Sequence, residues 1–115
     1  MTKRNHLIPR RGEIWWINFD PSIGGEIKKN RPAVIVSNDV ANKTLNRVQV
    51  IPITSVVKNI YPAECLITVQ GKQSKAMADQ LTTISKLRLS TKIETVKAQE
   101  MDEIERIIRL QLGMC

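Results

Sequence analysis

The sequence is poor in the residues that metal sites and histidine-based catalysis require. It contains a single histidine, His6, in a basic N-terminal segment. One histidine argues against a ribonuclease that uses two histidines and against a serine–histidine triad. There is no CxxC, HExxH or close pair of aspartates, no Walker loop and no dinucleotide fingerprint. We therefore expect no metal and no cofactor, and any catalysis would fall to carboxylate, guanidinium and hydroxyl groups.

Cysteines and long apolar runs are also scarce. Two cysteines, Cys65 and Cys115, are too few for a disulfide framework, which favours reduced thiols and a cytoplasmic location. No apolar stretch approaches the length of a membrane span, and the N-terminus lacks the apolar segment of a signal peptide. We expect residues 1–10 to form a tail and residues 11–115 to form one domain, with no membrane partner.

Positive charge is the main excess. The chain has 18 basic and 11 acidic residues, a net charge of +7. Residues 98–115 contain four of the acids and two arginines, so residues 1–97 keep 16 basic and 7 acidic residues, a net charge of +9. A basic body favours a polyanion partner, with nucleic acid ahead of a membrane surface. A soluble protein that happens to be basic is an equally open reading.

Alternation of apolar and polar residues predicts several short strands and one helix. The predicted strands are 13–19, 33–37, 47–54, 64–69 and 92–96. Pro52 suggests a bulge or an edge position, and residues 74–84 are ambiguous between helix and strand. Apolar residues three or four apart predict a helix over 98–112. The pattern is typical of a small barrel-like β structure with a helix packed on it.

The segment between Asp20 and Pro32 is long for a connection and is the first candidate for function. Arg31 lies where this segment enters a buried strand, and its fork of donors suits a phosphate. Glu26, five residues upstream, has a carboxylate that can accept the proton of a ribose 2′-hydroxyl. The alternatives are a rim arginine that holds the loop and a solvated loop acid.

Two further positions carry groups of the right chemistry. Thr54 ends a strand and is followed by Ser55, so its hydroxyl can donate to a phosphate or cap the local backbone. Asp79 can act as a second acid or as a turn residue that bonds its own backbone. Trp15 and Trp16 are adjacent and should point to opposite faces of a strand. One should be core, and the other is free to stack on a base or on a partner chain.

Four segments, in order and spacing, resemble the MazF/PemK family of toxin endoribonucleases from bacterial toxin–antitoxin modules. They read RGEIWWINFDPSIGGE, RPAVIVSND, VIPITS and AMADQLTTISKLRL, and an amphipathic C-terminal helix follows. The resemblance implies a mainly β fold with α (α+β), a small half-open SH3-like β-barrel with a C-terminal helix. It also implies a homodimer that cleaves single-stranded RNA at selected sequences.

The resemblance extends to mechanism and partners. Members of the family work without metal, leave a 2′,3′-cyclic phosphate and a 5′-hydroxyl, and so inhibit translation and growth. An acidic antitoxin neutralises them when its disordered tail folds onto the toxin dimer, and the pair binds DNA in autoregulation.

The family's functional positions map onto residues of this sequence. The catalytic set that the resemblance implies is Arg31, Thr54, Glu26 and Asp79. The RNA-binding candidates are Lys28, Lys29, Ser55, Lys58, Lys75 and Gln80. Two departures leave Arg31 as the main candidate cation: many relatives have arginine where this chain has Thr82, and some have it at Met77.

Two other functions fit the same fold. One is a non-enzymatic topoisomerase poison like CcdB, and the other is an RNA-binding barrel that has lost activity. A binder would need the basic surface but not the combination of Glu26, Arg31 and Thr54, which favours the enzyme.

Overall fold

A computed structural model describes residues 8–19 and 30–114 of the chain. Seven strands and two α-helices lie within these ranges. The strands are β1 Glu13–Asn18, β2 Asn30–Ile35, β3 Arg47–Thr54, β4 Glu64–Val69, β5 Lys72–Met77, β6 Thr82–Ser85 and β7 Leu89–Thr95, and the helices are α1 Asp39–Thr44 and α2 Ala98–Gln111. No helix in the described ranges is long and apolar enough to cross a membrane.

The strands form one antiparallel sheet in the order β4-β5-β3-β2-β1-β7, and β6 pairs with β3 off this path. The sheet curls into a half-barrel with α2 packed against it, which confirms the predicted α+β fold. Strand β3 changes partner along its length: Val50 pairs with β6, whereas Ile53 pairs with β5. Pro52 lies at this changeover and faces Ala33 of β2 on its other side. Proline has no N–H to donate, so it is tolerated between the end of the β3–β6 pairing and the start of the β3–β5 pairing.

Apolar side chains fill both faces of the sheet, because strand residues alternate in direction. The barrel core contains strand residues together with Phe19: Trp15, Ile17, Phe19, Ala33, Ile35, Val48, Val50, Ile84 and Leu89. The helix-side core lies on the other face, between the sheet and α2, where Ile104 and Ile107 are fully buried. The 3.6-residue period therefore predicted the helix correctly, and its apolar stripe covers the outside of the half-barrel.

Helix α1 is the element that the sequence did not predict. It is six residues long, and the Asn38 side chain caps it by accepting the N–H of Ala41 at 2.9 Å. The Asp39 carboxylate accepts the backbone N–H of Arg11 at 2.7 Å, and the buried Asn42 donates to the Ser37 carbonyl at 2.8 Å. Caps and tertiary hydrogen bonds hold so short a helix, and neither leaves a periodic signal in the sequence.

The ambiguous segment 74–84 divides between two strands. A two-residue turn, Gln70-Gly71, joins β4 to β5, and both of its residues have positive φ, 51° and 77°. The turn sets the pairing of Val69 with Lys72, and β5 then runs to Met77. A 3₁₀ turn, Ala78–Gln80, leads into β6. The last strand is longer than predicted, since it begins at Leu89 rather than residue 92.

Candidate functional site

Arg31 is the second residue of β2, so it lies near the start of a buried strand, as predicted, although the strand begins at Asn30 rather than at residue 33. It pairs with Ile17 of β1. Its Nε–H is buried and has no hydrogen-bond partner within the described residues. A buried donor without a partner costs about 1–3 kcal/mol, so Arg31 offers an N–H that an anion would satisfy. Arg31 also lines a cavity of about 620 Å³, which Ser55 borders as well.

Thr54 and Arg31 lie just beyond the paired parts of β2 and β3. The pairing of the two strands ends where Ala33 faces Pro52, and Arg31 and Thr54 each lie two residues beyond that last pair. Because side chains alternate along a strand, both residues belong to the same sheet face as that pair. The Thr54 hydroxyl oxygen accepts the N–H of Val56 at 3.2 Å. A hydroxyl that accepts one hydrogen bond can also donate its proton, so Thr54 caps the backbone and has the chemistry to donate to a phosphate.

Lys75 faces Thr54 from β5, but its ammonium group is held inside the protein. It donates to the Glu64 carboxylate at 2.8 Å and to the Asn59 carbonyl at 2.7 Å, and it lies 5.5 Å from the centre of the Tyr61 ring. Both charged side chains are only 9% exposed. From the sequence we predict that Lys75 follows the RNA backbone, whereas its ammonium group lies in an internal ion pair beside Thr54.

The remaining predicted residues are more dispersed. Asp79 is exposed in the 3₁₀ turn that lies beside the middle of β3, two or three residues along that strand from Thr54. Gln80 is half-buried in the same turn, and Lys58 is exposed in the connection between β3 and β4. Glu26, Lys28 and Lys29 lie outside the described residues.

The model of the PemK-like, MazF-like toxins of type II toxin–antitoxin systems matches residues 10–112. The chain belongs to this family. It is 40% identical over 114 residues to the endoribonuclease MazF9 of Mycobacterium tuberculosis, covering 91% of this chain and 97% of the relative.

Solved structures agree with the fold of this toxin. MazF from Deinococcus radiodurans superposes with a TM-score of 0.83 at 28% identity, covering 93% of this chain and 98% of the other. A mycobacterial endoribonuclease in complex with its cognate antitoxin gives a TM-score of 0.79 at 20% identity, with 93% and 97% covered. The predicted MazF/PemK toxin is therefore confirmed, and the relatives' names are consistent with the predicted endoribonuclease activity.

Several features of the toxin's site leave little signal in the sequence. The Lys75–Glu64 pair was not anticipated, although the alternation of β4 and β5 places both side chains on one sheet face. The lining of the cavity by Gln70 and Lys72 was also missed. The tryptophan doublet did predict one core member and one member free to stack, and these are Trp15 and Trp16. In the described part of the chain no group of three histidine, cysteine, aspartate or glutamate side chains could hold a metal ion.

Proposed function

We propose that this MazF/PemK-type toxin cuts single-stranded RNA, including mRNA, by attack of a ribose 2′-hydroxyl on its own 3′-phosphate. The O2′–P bond forms, the P–O5′ bond breaks, and the products end in a 2′,3′-cyclic phosphate and a 5′-hydroxyl. The 2′-hydroxyl proton goes to a base, and the leaving 5′ oxygen takes up a proton. The observation that carries the proposal is the buried Nε–H of Arg31, which has no partner within the described residues and lies, like Thr54, two residues beyond the last pair of β2 and β3.

Arg31 and Thr54 supply the stabilisation of charge in this mechanism. The guanidinium keeps its proton at any physiological pH, so Arg31 acts as a fixed cation rather than a general acid. It would hold the pentacoordinate phosphate through its free Nε–H, and the Thr54 hydroxyl would donate a second hydrogen bond. One such donor contributes about 10²–10³ in rate. Because these groups stabilise the negative charge directly, the reaction needs no bound metal ion in our proposal.

Carboxylates and lysines complete the assignment. Glu26 or Asp79 would accept the 2′-hydroxyl proton, and the structure leaves Asp79 exposed near the middle of β3. Ser55 and Gln80 would contact RNA from the ends of β3 and the 3₁₀ turn. Three other candidates, Lys28, Lys29 and Lys58, would follow the phosphate backbone. We now assign Lys75 an indirect role, since Glu64 and Asn59 already bind its ammonium group.

The direct test of this chemistry is cleavage of a long single-stranded RNA in excess EDTA. We expect undiminished cleavage and 5′ ends that polynucleotide kinase labels without prior phosphatase treatment. A substrate with one 2′-deoxynucleotide at the mapped cut site is the matched control and should resist cleavage there. Activity that is lost in EDTA and restored by magnesium, or 5′-phosphate ends, would refute the mechanism. No cleavage of any RNA would favour a topoisomerase poison or an inactive RNA-binding barrel.

We also propose that the toxin is a cytoplasmic homodimer neutralised by an acidic antitoxin. The net charge of +9 on residues 1–97 supports an acidic partner, and a similar mycobacterial endoribonuclease has been solved with its cognate antitoxin. The antitoxin tail should cover residues 20–32 and compete with RNA, and its binding should weaken as salt screens the charges. Titration of cleavage with an antitoxin peptide tests the competition, since unchanged cleavage at saturating peptide contradicts it. Light scattering tests the dimer.

A further inference from the structure

Trp16 is exposed where its neighbours along β1 are not. Its side chain is 40% exposed, whereas Trp15 is 3% exposed and Ile17 is fully buried. The register sets Trp16 directly opposite Pro32 of β2 and Thr91 of β7, so the three side chains form a row across one face of the sheet. An indole in the middle of a sheet buries a large apolar area when it is covered. This row is therefore a flat surface suited to a planar ligand.

The row forms part of the wall of the 620 Å³ cavity that reaches Arg31. That volume falls within the range of sites that hold small organic molecules. The β4–β5 hairpin supplies another part of the wall, with Gln70, Lys72 and Ser74. Among the described lining residues the charged groups are Arg31 and Lys72, and no carboxylate is present. The cavity wall therefore combines a flat apolar surface, positively charged groups, and amide and hydroxyl groups.

The hairpin turn fixes the position from which Gln70 reaches the cavity. Gln70 has a φ of 51°, and its backbone N–H donates to the Glu94 carboxylate of β7. A residue other than glycine in this conformation costs of the order of 1 kcal/mol, and such positions cluster at ligand-binding sites. The carboxamide has both a donor and an acceptor, which is what the hydrogen-bonding edge of a nucleobase requires.

We propose that this cavity binds the nucleobase of a nucleotide next to the cleaved bond, with Trp16 as the stacking surface. Gln70, Ser74 and Thr91 lie around it and supply hydrogen bonds to the base edge, Lys72 supplies a positive charge for a phosphate, and Arg31 lines the same cavity. The proposal rests on the proposed function, because it takes Arg31 as the group that holds the scissile phosphate. It assigns part of the toxin's sequence selectivity to this cavity.

An abasic scan of a non-cleavable substrate tests the pocket. The probe is an oligoribonucleotide of the mapped cut sequence with a 2′-deoxynucleotide at the cut, in which each base is removed in turn. Stacking on an aromatic side chain is worth about 1–3 kcal/mol per base, so one abasic position should weaken binding to the wild type about tenfold. Binding to Trp16→Ala should change less than about twofold at that same position, because the stacking partner is already gone.

Two variants serve as controls for Trp16→Ala. Trp16→Phe keeps an aromatic face and should retain most of the abasic effect. Leu87→Ala removes a side chain that is exposed on a different turn and should leave the whole scan unchanged. If the scan gives the same profile in the wild type and in Trp16→Ala, no base stacks on Trp16 and the proposal is wrong. Loss of antitoxin binding or of dimerisation with an unchanged scan would assign Trp16 to a protein partner instead.

A second readout separates this proposal from the proposed function. The protein has two tryptophans, and only Trp16 is exposed, so titration with nucleoside 3′-monophosphates should quench its fluorescence. If nucleotides quench the wild type but not Trp16→Phe, and the wild type cuts no RNA, the pocket is supported and the nuclease is rejected. Cleavage of RNA by a protein that shows neither quenching nor an abasic effect would support the nuclease and reject the pocket.

Discussion

Removing the charge of Glu64 should destabilise the toxin strongly, because the Lys75 ammonium would stay buried without its counter-ion. The two side chains are 9% exposed, and Nζ lies 2.8 Å from the carboxylate oxygen. Breaking a buried pair by removing one partner costs about 3–5 kcal/mol. In Glu64→Gln the amide oxygen can still accept from Lys75 and from the Tyr61 N–H, which Glu64 accepts at 2.9 Å. We therefore expect a loss of about 3 kcal/mol, at the lower end of that range.

Removing both charges of the Lys75–Glu64 pair should be milder than removing one. Replacement of a buried pair by apolar residues of similar volume is often neutral or stabilising. The double variant Glu64→Leu/Lys75→Met should therefore unfold within about 1 kcal/mol of the wild type. Urea unfolding of the wild type, Glu64→Gln, Lys75→Met and the double variant gives the full cycle. A loss below about 0.5 kcal/mol in Glu64→Gln would show that the pair behaves like an exposed one and would refute the argument.

Three further predictions follow from single residues. Burial raises the pKa of the Cys65 thiol from 9.0 to about 11, so less of it is thiolate at pH 8 in the folded protein. Because the thiolate is the species that reacts, alkylation of Cys65 in a Cys115→Ser background at pH 8 should be about 100-fold slower in the native protein than in urea. Because this pKa is raised on folding, the stability that Cys65 contributes is present below pH 9 and is lost as the pH rises toward 11; Cys65→Ala should flatten that loss in thermal melts. The backbone N–H of Arg11 donates to the Asp39 carboxylate and lowers its pKa below the ordinary 3.8. The stability that Asp39 contributes is therefore present above pH 3.8 and is lost as the pH falls below it. Asp39→Asn should therefore reduce the acid dependence of unfolding, and an unchanged profile would contradict the role of the hydrogen bond. Gly12 has a φ of 93°, and an added Cβ would meet only ordinary contacts, so Gly12→Ala should lose about 1 kcal/mol or more in urea unfolding from backbone strain rather than crowding.

Most of the fold was predictable because its signals are local. The bounds of β3 and β4 match the prediction, since alternating apolar residues need no knowledge of partners. The start of β2 was not predictable in the same way. Pro32 reads as the end of a loop, yet it lies within β2, where pairing with β3 begins only at Ala33. One edge of the strand is unpaired at Pro32, so a residue without a donor is tolerated there.

Site residues could be predicted where their own chemistry indicates a role. They could not be predicted where the strand register determines which side chains lie close together. The guanidinium of Arg31 and the hydroxyl of Thr54 could be proposed from their positions beside strands. The pairing of Lys75 with Glu64 depends on the hairpin register that the Gln70-Gly71 turn sets. Such a register brings together residues eleven positions apart, and periodicity within a single strand carries no information on it.

The central claim is that Arg31 stabilises the charge of the reacting phosphate. The most direct measurement is the single-turnover cleavage rate of a defined RNA in EDTA for the wild type, Arg31→Ala and Arg31→Lys, with thermal melts to show that each variant is folded. We predict that Arg31→Ala cuts at least about 10²-fold more slowly. Arg31→Lys should recover little of this loss, because a point charge replaces a planar fork of donors. A folded Arg31→Ala variant that cuts at nearly the wild-type rate would contradict the claim.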